Sequence, residues 1–205
     1  MKKPYTVIGK VARFYDMALW LSGYEKSVNF FVSQLRLPED VNINVLDAGC
    51  GTGLYSLAIL KRYRNAQVTA FDLDARLVAR LKEKASNMGY GGRVQTFVAD
   101  ITSDLPHLQK TFDLIVTAGV FEYVPLKQAV SNLSQLLLTG GYFFNSPIRT
   151  TVWGNIVARI YARKPYTRKD YLEAFQKDYT LGKIISLPPL RLSSFKEGQF
   201  FKKMT

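Results

Sequence analysis

Val45-Leu46-Asp47-Ala48-Gly49-Cys50-Gly51-Thr52-Gly53 decides how the rest of the chain is read. Apolar, strand-forming residues run into a glycine at every second position, and Leu54-Tyr55-Ser56-Leu57-Ala58-Ile59-Leu60 then takes up helical spacing. The glycines therefore lie in a strand-to-helix turn. Such a turn lets a ligand lie against the bare peptide plane, and the start of the following helix offers free N–H groups. G-x-G-x-G spacing by itself also fits dinucleotide-binding turns. Asp47 narrows the choice, because a carboxylate at the strand end disfavours a pyrophosphate and suits a ligand that carries an amino group or a positive charge.

The chain beyond the turn alternates strands and helices. Ala66–Asp72 reads as a second strand ending in an acid, and Asp72 stands 19 residues past Gly53. That is close to the spacing at which nucleotide-binding α/β folds set a carboxylate on ribose hydroxyls. An ionised carboxylate can accept from both hydroxyls of a cis-diol. Asp74 heads a helix through Leu77, Val78 and Leu81 and reads as its N-cap. Val94–Val98 is a third strand, closed by Ala99-Asp100-Ile101. Phe112–Val120, apolar almost throughout, reads as a fourth strand buried on both faces. A helix through Ala129, Leu133, Leu136 and Leu137 is expected to stop at Gly140-Gly141, before a fifth strand at Tyr142–Asn145. This alternation calls for an α/β fold, doubly wound, with a mainly parallel sheet and helices on both faces. Ligands of such sheets bind beyond the carboxyl ends of the strands, where Asp47, Gly49, Asp72, Asp100 and Thr117 all fall.

Asp47-Ala48-Gly49-Cys50-Gly51-Thr52-Gly53 resembles motif I of the class I S-adenosylmethionine-dependent methyltransferases, and the likeness is specific from about Val45 to Pro147. The resemblance implies a Rossmann-like, seven-stranded sheet with an antiparallel last strand, its final two strands at Tyr179–Ser186 and Gln199–Lys203. It implies S-adenosylmethionine as cofactor and S-adenosylhomocysteine as product. The contacts it implies for that cofactor come from Asp47, Ala48, Gly49, Cys50, Gly51, Gly53, Asp72, Leu73, Asp100, Ile101 and Thr117, with Asp100 accepting from the adenine amino group and Ile101 lining the adenine slot. Where the family frequently has an acid followed by histidine, this chain has Glu122-Tyr123. Candidates for a catalytic base are therefore Glu122 and Tyr123, with Tyr15 and Tyr166 from covering segments. Phe14-Tyr15-Asp16 resembles the tyrosine-bearing stretch that precedes the cofactor strand in many small-molecule members.

With 205 residues, 47% apolar and 13% aromatic, the chain can bury one substantial core. A single domain over 1–205 is expected. Within it, residues 1–40 form an amino-terminal helical cap, two helices parted at Ser22-Gly23, and residues 148–175 form an inserted lid or substrate segment. Residues 151–164 carry an apolar stripe with Arg159 and Arg163 on another side, a pattern shared by a lid, a membrane contact and a packed helix. Thr167 reads as the N-cap of a helix that turns Tyr171, Leu172 and Phe175 inward.

The net charge is +12, and residues 145–205 hold 12 basic against 4 acidic side chains. Such a face suits an anionic small molecule, nucleic acid or an anionic membrane. Apolar runs fall far short of a bilayer span and no secretory signal is evident, so the expected location is cytoplasmic, with peripheral membrane contact left open. Cys50 is the sole cysteine and His107 the sole histidine, which gives no expectation of a disulfide or a metal site.

The expected function is methyl transfer to a small, apolar or anionic acceptor, such as a quinone precursor or a lipid-like molecule. A nucleic-acid methyltransferase is the first alternative, disfavoured because Thr117-Ala118-Gly119-Val120 stands where base-amino methyltransferases carry an acid or asparagine before Pro-Pro and an aromatic. A non-catalytic S-adenosylmethionine-binding protein is the second. The sequence leaves the oligomeric state open.

Overall fold

The computed structural model describes residues 23–38, 40–103, 105, 108, 111–149, 166–188 and 196–205. The expected first helix with Tyr15, the loop with His107, and the amphipathic segment 151–164 lie outside the described residues. The chain divides into two compact units, one up to Asp100 and one from Ile101. Seven described strands make a mainly parallel sheet, ordered β3-β2-β1 in the first unit and β4-β5-β7-β6 in the second.

In the first unit, α1 (Tyr24–Ser33) begins at Gly23, whose backbone is left-handed, and buries Val28, Phe31 and Val32 on one stripe. It packs on α2 (Leu54–Arg62), and the Tyr63 hydroxyl just after α2 donates to the Leu35 carbonyl at 2.9 Å. β1 (Ile43–Ala48) pairs in parallel with β2 (Ala66–Asp72), and β2 with β3 (Val94–Val98). The helix α3 (Ala75–Asn87) lies between β2 and β3 in sequence. Asp74 caps it as expected, with its carboxylate accepting from the Arg76 amide at 2.9 Å.

The second unit is built on β4 (Phe112–Ala118), α4 (Leu126–Ser134), β5 (Leu137–Ser146), α5 (Arg168–Phe175), β6 (Tyr179–Ser186) and β7 (Glu197–Lys203). β4 and β5 are parallel, while β7 runs antiparallel to both its neighbours, β5 and β6. Thr167 caps α5 and forms a reciprocal capping box with Asp170. An aromatic core fills this unit: Phe175 stacks on Phe201 at 4.2 Å and meets Phe143 edge-on at 4.9 Å. Such pairs add about 0.5–1.5 kcal/mol each beyond their buried area.

Three expected boundaries move. The helix does not run to Gly140-Gly141; α4 stops at Ser134, and both glycines lie inside β5. The reason is a register shift, in which Phe112 pairs with Leu137 but Leu114 with Tyr142, so the intervening β5 residues bulge. A Cβ at Gly141 would sit 2.8 Å from the Leu138 carbonyl oxygen, which explains why the bulge needs glycine there. Lys203 satisfies carbonyls at this junction, its ammonium donating to Ser134 at 2.7 Å and to Leu137 at 2.8 Å. β4 ends at Ala118 rather than Val120, because Gly119 turns the chain with φ 68°. β7 starts earlier than expected, at Glu197.

If the aromatic core carries this unit, Phe175→Ala should lower the unfolding free energy by about 3–5 kcal/mol. Phe30→Ala, at a ring 42% exposed on α1, should cost under about 1 kcal/mol. Urea denaturation of both variants checks the contrast.

Candidate functional site

The turn after β1 is fastened to the end of β2. The amides of Gly49 and Cys50 both donate to the Phe71 carbonyl, at 2.8 and 2.9 Å, and the Gly51 amide donates to Asp72 Oδ2 at 2.8 Å. To follow this path the backbone is left-handed at Gly49, Gly51 and Gly53, with φ of 76°, 53° and 86°, which side chains disfavour. Built on Gly51, a Cβ meets nothing within 4 Å among the described residues, so its peptide face is bare. Cys50 is buried, and its thiol faces the Gly51 carbonyl at 3.6 Å. Burial pushes that thiol well above its ordinary range, the state of a packing residue rather than a nucleophile.

Asp47 is buried at the end of β1, beside Ala48. Its Oδ2 accepts from the Ser56 amide at 3.1 Å and from the Ser56 hydroxyl at 2.6 Å, so the carboxylate ties the strand end to the first turn of α2. Burial raises its pKa to about 6, against the lowering effect of the Ser56 bonds. Asp72 is also buried, with Oδ1 accepting from the Asp74 amide at 3.0 Å and Oδ2 from Gly51. The Ala99 amide donates to the Asp72 carbonyl at 3.1 Å, which brings half-buried Asp100 to the same end of the sheet. Leu73 is 47% exposed between the two acids Asp72 and Asp74. Hydrogen bonds thus gather Asp47, Gly49 to Gly53, Asp72 and Asp100 at the carboxyl ends of β1, β2 and β3.

The remaining expected residues belong to the second unit. Ile101 is buried, and its carbonyl accepts from the Asn132 side chain at 3.2 Å. Thr117 is fully buried in β4, and its hydroxyl is engaged by Asn145 Oδ1 at 3.0 Å. Asn145 donates on to Gln199 Oε1 at 3.0 Å, and Gln199 to Glu197 Oε1 at 2.9 Å. This relay crosses β4, β5 and β7. Arg168 closes it on the outer side, 2.7 Å from Glu197 Oε2.

Glu122 lies in a single 3-10 turn, Phe121–Tyr123, after β4. It is buried; Oε1 accepts from the Ile148 amide at 2.6 Å, and Oε2 has no hydrogen-bond partner among the described residues. Tyr123 is half-buried. The Tyr166 hydroxyl donates to the Val124 carbonyl at 3.1 Å and accepts from the Leu126 amide at 3.4 Å, which fixes it at the start of α4. Sequence reasoning missed Lys196. This lysine is buried, with its ammonium 3.1 Å from the Ser146 carbonyl, and burial pulls its pKa down while the charge of Glu122 opposes the shift. A cavity of about 200 Å³ opens beside Pro147, Ile148, Arg149, Tyr166, Arg168, Tyr171 and Glu197.

Residues 45–141 match the methyltransferase domain family. A ubiquinone biosynthesis O-methyltransferase of Xanthomonas campestris pv. campestris is 31% identical over 157 residues, which cover 71% of this chain and 62% of the relative. A malonyl-acyl-carrier protein O-methyltransferase of Ilyobacter polytropus is 33% identical over 99 residues, covering 48% of this chain and 35% of the relative. The chain thus spans less than two thirds of the length of these curated relatives. Among solved structures, a geranyl diphosphate C-methyltransferase of Streptomyces coelicolor superposes with a TM-score of 0.72 at 15% identity, over 88% of this chain and 80% of its own. Residues 45–141, which hold the glycine turn and its two acids, thus match the methyltransferase domain family, and the likeness to the solved structure shows a shared Rossmann-like fold.

The raised pKa of Asp47 has a sign that can be tested. Its folded value lies above the ordinary carboxylate value, so the ionised side chain costs stability above about pH 6, and that cost fades as pH falls toward 4. Asp47→Asn should therefore be the more stable form near pH 8, by up to about 3 kcal/mol, and lose its advantage near pH 4. Urea midpoints of both proteins across that range measure it; a difference independent of pH would contradict the assignment.

Proposed function

We propose that the chain transfers a methyl group from S-adenosylmethionine to a small organic acceptor, of quinone-precursor or lipid-like kind, and releases S-adenosylhomocysteine. The observation that carries this reading is the fastening of Gly51, with open space at its Cα, to the buried Asp72 carboxylate, in a turn that follows the second buried carboxylate, Asp47. Their chemistry fits the donor. Asp72 accepts from two backbone amides and retains lone pairs for ribose hydroxyls. Asp47 supplies negative charge toward an ammonium or sulfonium centre, and Leu73 and Asp100 stand at the adenine end. No described residue clashes with a ligand laid on Gly51.

The donor brings a sulfonium methyl that is already activated. What the chain contributes is alignment, which can lower the barrier by about 7 kcal/mol or more when the reactants are held in line. The basic surplus of residues 145–205 and the O-methyltransferase relatives support an anionic or amphipathic acceptor, including one presented at an anionic membrane surface. No helix of the described residues is long and apolar enough to cross a membrane.

Incubation with methyl-tritiated donor and two acceptor pools, an organic-solvent lipid and quinol extract and a total RNA preparation, tests the reading. Label should enter the organic-phase pool and not the RNA. Label confined to RNA would reverse the choice of acceptor, and label in neither pool would favour a non-catalytic binding protein. Transfer should fall at least tenfold in Asp72→Ala, because the donor loses its diol contact.

A further inference from the structure

Three buried side-chain oxygens of the second unit have no hydrogen-bond partner among the described residues: Glu122 Oε2, Ser146 Oγ and Tyr171 Oη. Each residue is at least nine-tenths buried, with exposures of 7%, 0% and 1%. Leaving such atoms unpaired costs about 1–3 kcal/mol each, more for a charged one. Clustered orphan atoms in a folded chain therefore point to something that pairs with them.

Their surroundings define what that partner is. Lys196 is a fourth buried polar group, and its single hydrogen bond to a described residue goes to the Ser146 carbonyl. Its ammonium lies so close to the turn after β4 that a Cβ at Gly119 would be 2.8 Å away; the bare glycine makes room for it. The negative charge of Glu122 is felt both at Lys196 and at Tyr171, yet Glu122 Oε2 bonds to neither. An acceptor of hydrogen bonds and two donors thus share one neighbourhood without closing on each other. Ser146 ends β5, Glu122 and Gly119 follow β4, and substrates of such sheets gather past those strand ends. Access exists too. Tyr171 and Ile148, whose amide holds the other oxygen of Glu122, line the cavity of about 200 Å³.

We propose that Glu122, Lys196 and Tyr171 form the binding site for a hydroxyl group of the methyl acceptor, so that the nucleophile is an oxygen. A hydroxyl is the group that answers this set, since it donates one hydrogen bond and accepts others. Its O–H points to Glu122 Oε2, while its lone pairs accept from the Lys196 ammonium and the Tyr171 hydroxyl. On reaction the proton passes to Glu122 Oε2, converting the carboxylate to a neutral acid. The oxygen keeps the electron pair of the broken O–H bond and holds its negative charge against Lys196. A neutral amine has one lone pair and cannot accept from both Lys196 and Tyr171, and a thiol would accept weakly. The inference rests on the reading of the chain as a methyltransferase of small acceptors and adds the atom that is methylated.

Phenol and its methyl ether anisole are the probes, titrated by NMR against the full chain with and without S-adenosylhomocysteine. Phenol should bind about tenfold more tightly than anisole. Glu122→Gln keeps an oxygen for the Ile148 amide but replaces the proton acceptor with a donor, and should erase the preference. Lys196→Met and Tyr171→Phe should each weaken phenol severalfold; they carry the test if Glu122→Gln proves misfolded by circular dichroism. Equal binding of the two probes, or phenol binding indifferent to Lys196→Met and Tyr171→Phe, would overturn the site and assign these atoms to structural water. The two readings also fail separately. Tritiated methyl appearing on amines or thiols but on no hydroxyl would refute the oxygen nucleophile and leave the methyltransferase standing.

Discussion

One carbonyl oxygen organises the donor end of this protein. Phe71, next to last in β2, accepts from both Gly49 and Cys50, and so pulls the turn after β1 onto the neighbouring strand. Three consequences follow from that fastening. Gly51 is brought under the Asp72 carboxylate, the peptide face at Gly51 is left bare, and α2 starts where Asp47 can reach Ser56. The first amides of the turn are therefore bound internally and do not serve a ligand. What is left open at the turn is side-chain carboxylate and bare backbone surface, an arrangement that suits a cationic adenosine derivative better than a pyrophosphate.

The second unit holds its polar groups differently. A shell of packed rings around Phe143, Phe175 and Phe201 excludes water from β4, β5 and β7. Inside it, Thr117, Asn145, Gln199 and Glu197 satisfy one another across three strands. A relay of that kind fixes strand register, because a slip by one residue would leave several buried amides unpaired. Against this well-satisfied background, the orphan oxygens of Glu122, Ser146 and Tyr171 stand out as a local exception. Exceptions of this sort are characteristic of sites that meet a ligand.

Much of this architecture is legible in the sequence where the signal is local. Ala66–Asp72 and Val94–Val98 were delimited as they stand, because acids and turn residues bracket short apolar runs. Asp74 and Thr167 announce their helices by side-chain chemistry within three residues. Gly140-Gly141 misled, since a glycine pair after a helical pattern signals a helix end equally well as a strand bulge, and only the pairing with β4 decides. Lys196, Gln199 and Glu197 were invisible for a related reason. Charged and amide residues opening a strand ordinarily face water, and nothing nearby in sequence tells that β7 is inserted between β5 and β6. The bond from Thr117 to Asn145, 28 residues away, has no local signal in the sequence.

The direct measurement is calorimetric titration of the chain with S-adenosylhomocysteine, beside Asp72→Asn, which preserves the side-chain volume and removes the charge. One saturable site should appear in the unaltered protein, and Asp72→Asn should weaken it at least tenfold at a temperature where both proteins are folded by circular dichroism. No heat of binding in the unaltered protein, or equal affinity in the two, would contradict the assignment of the Gly51–Asp72 junction as the donor site.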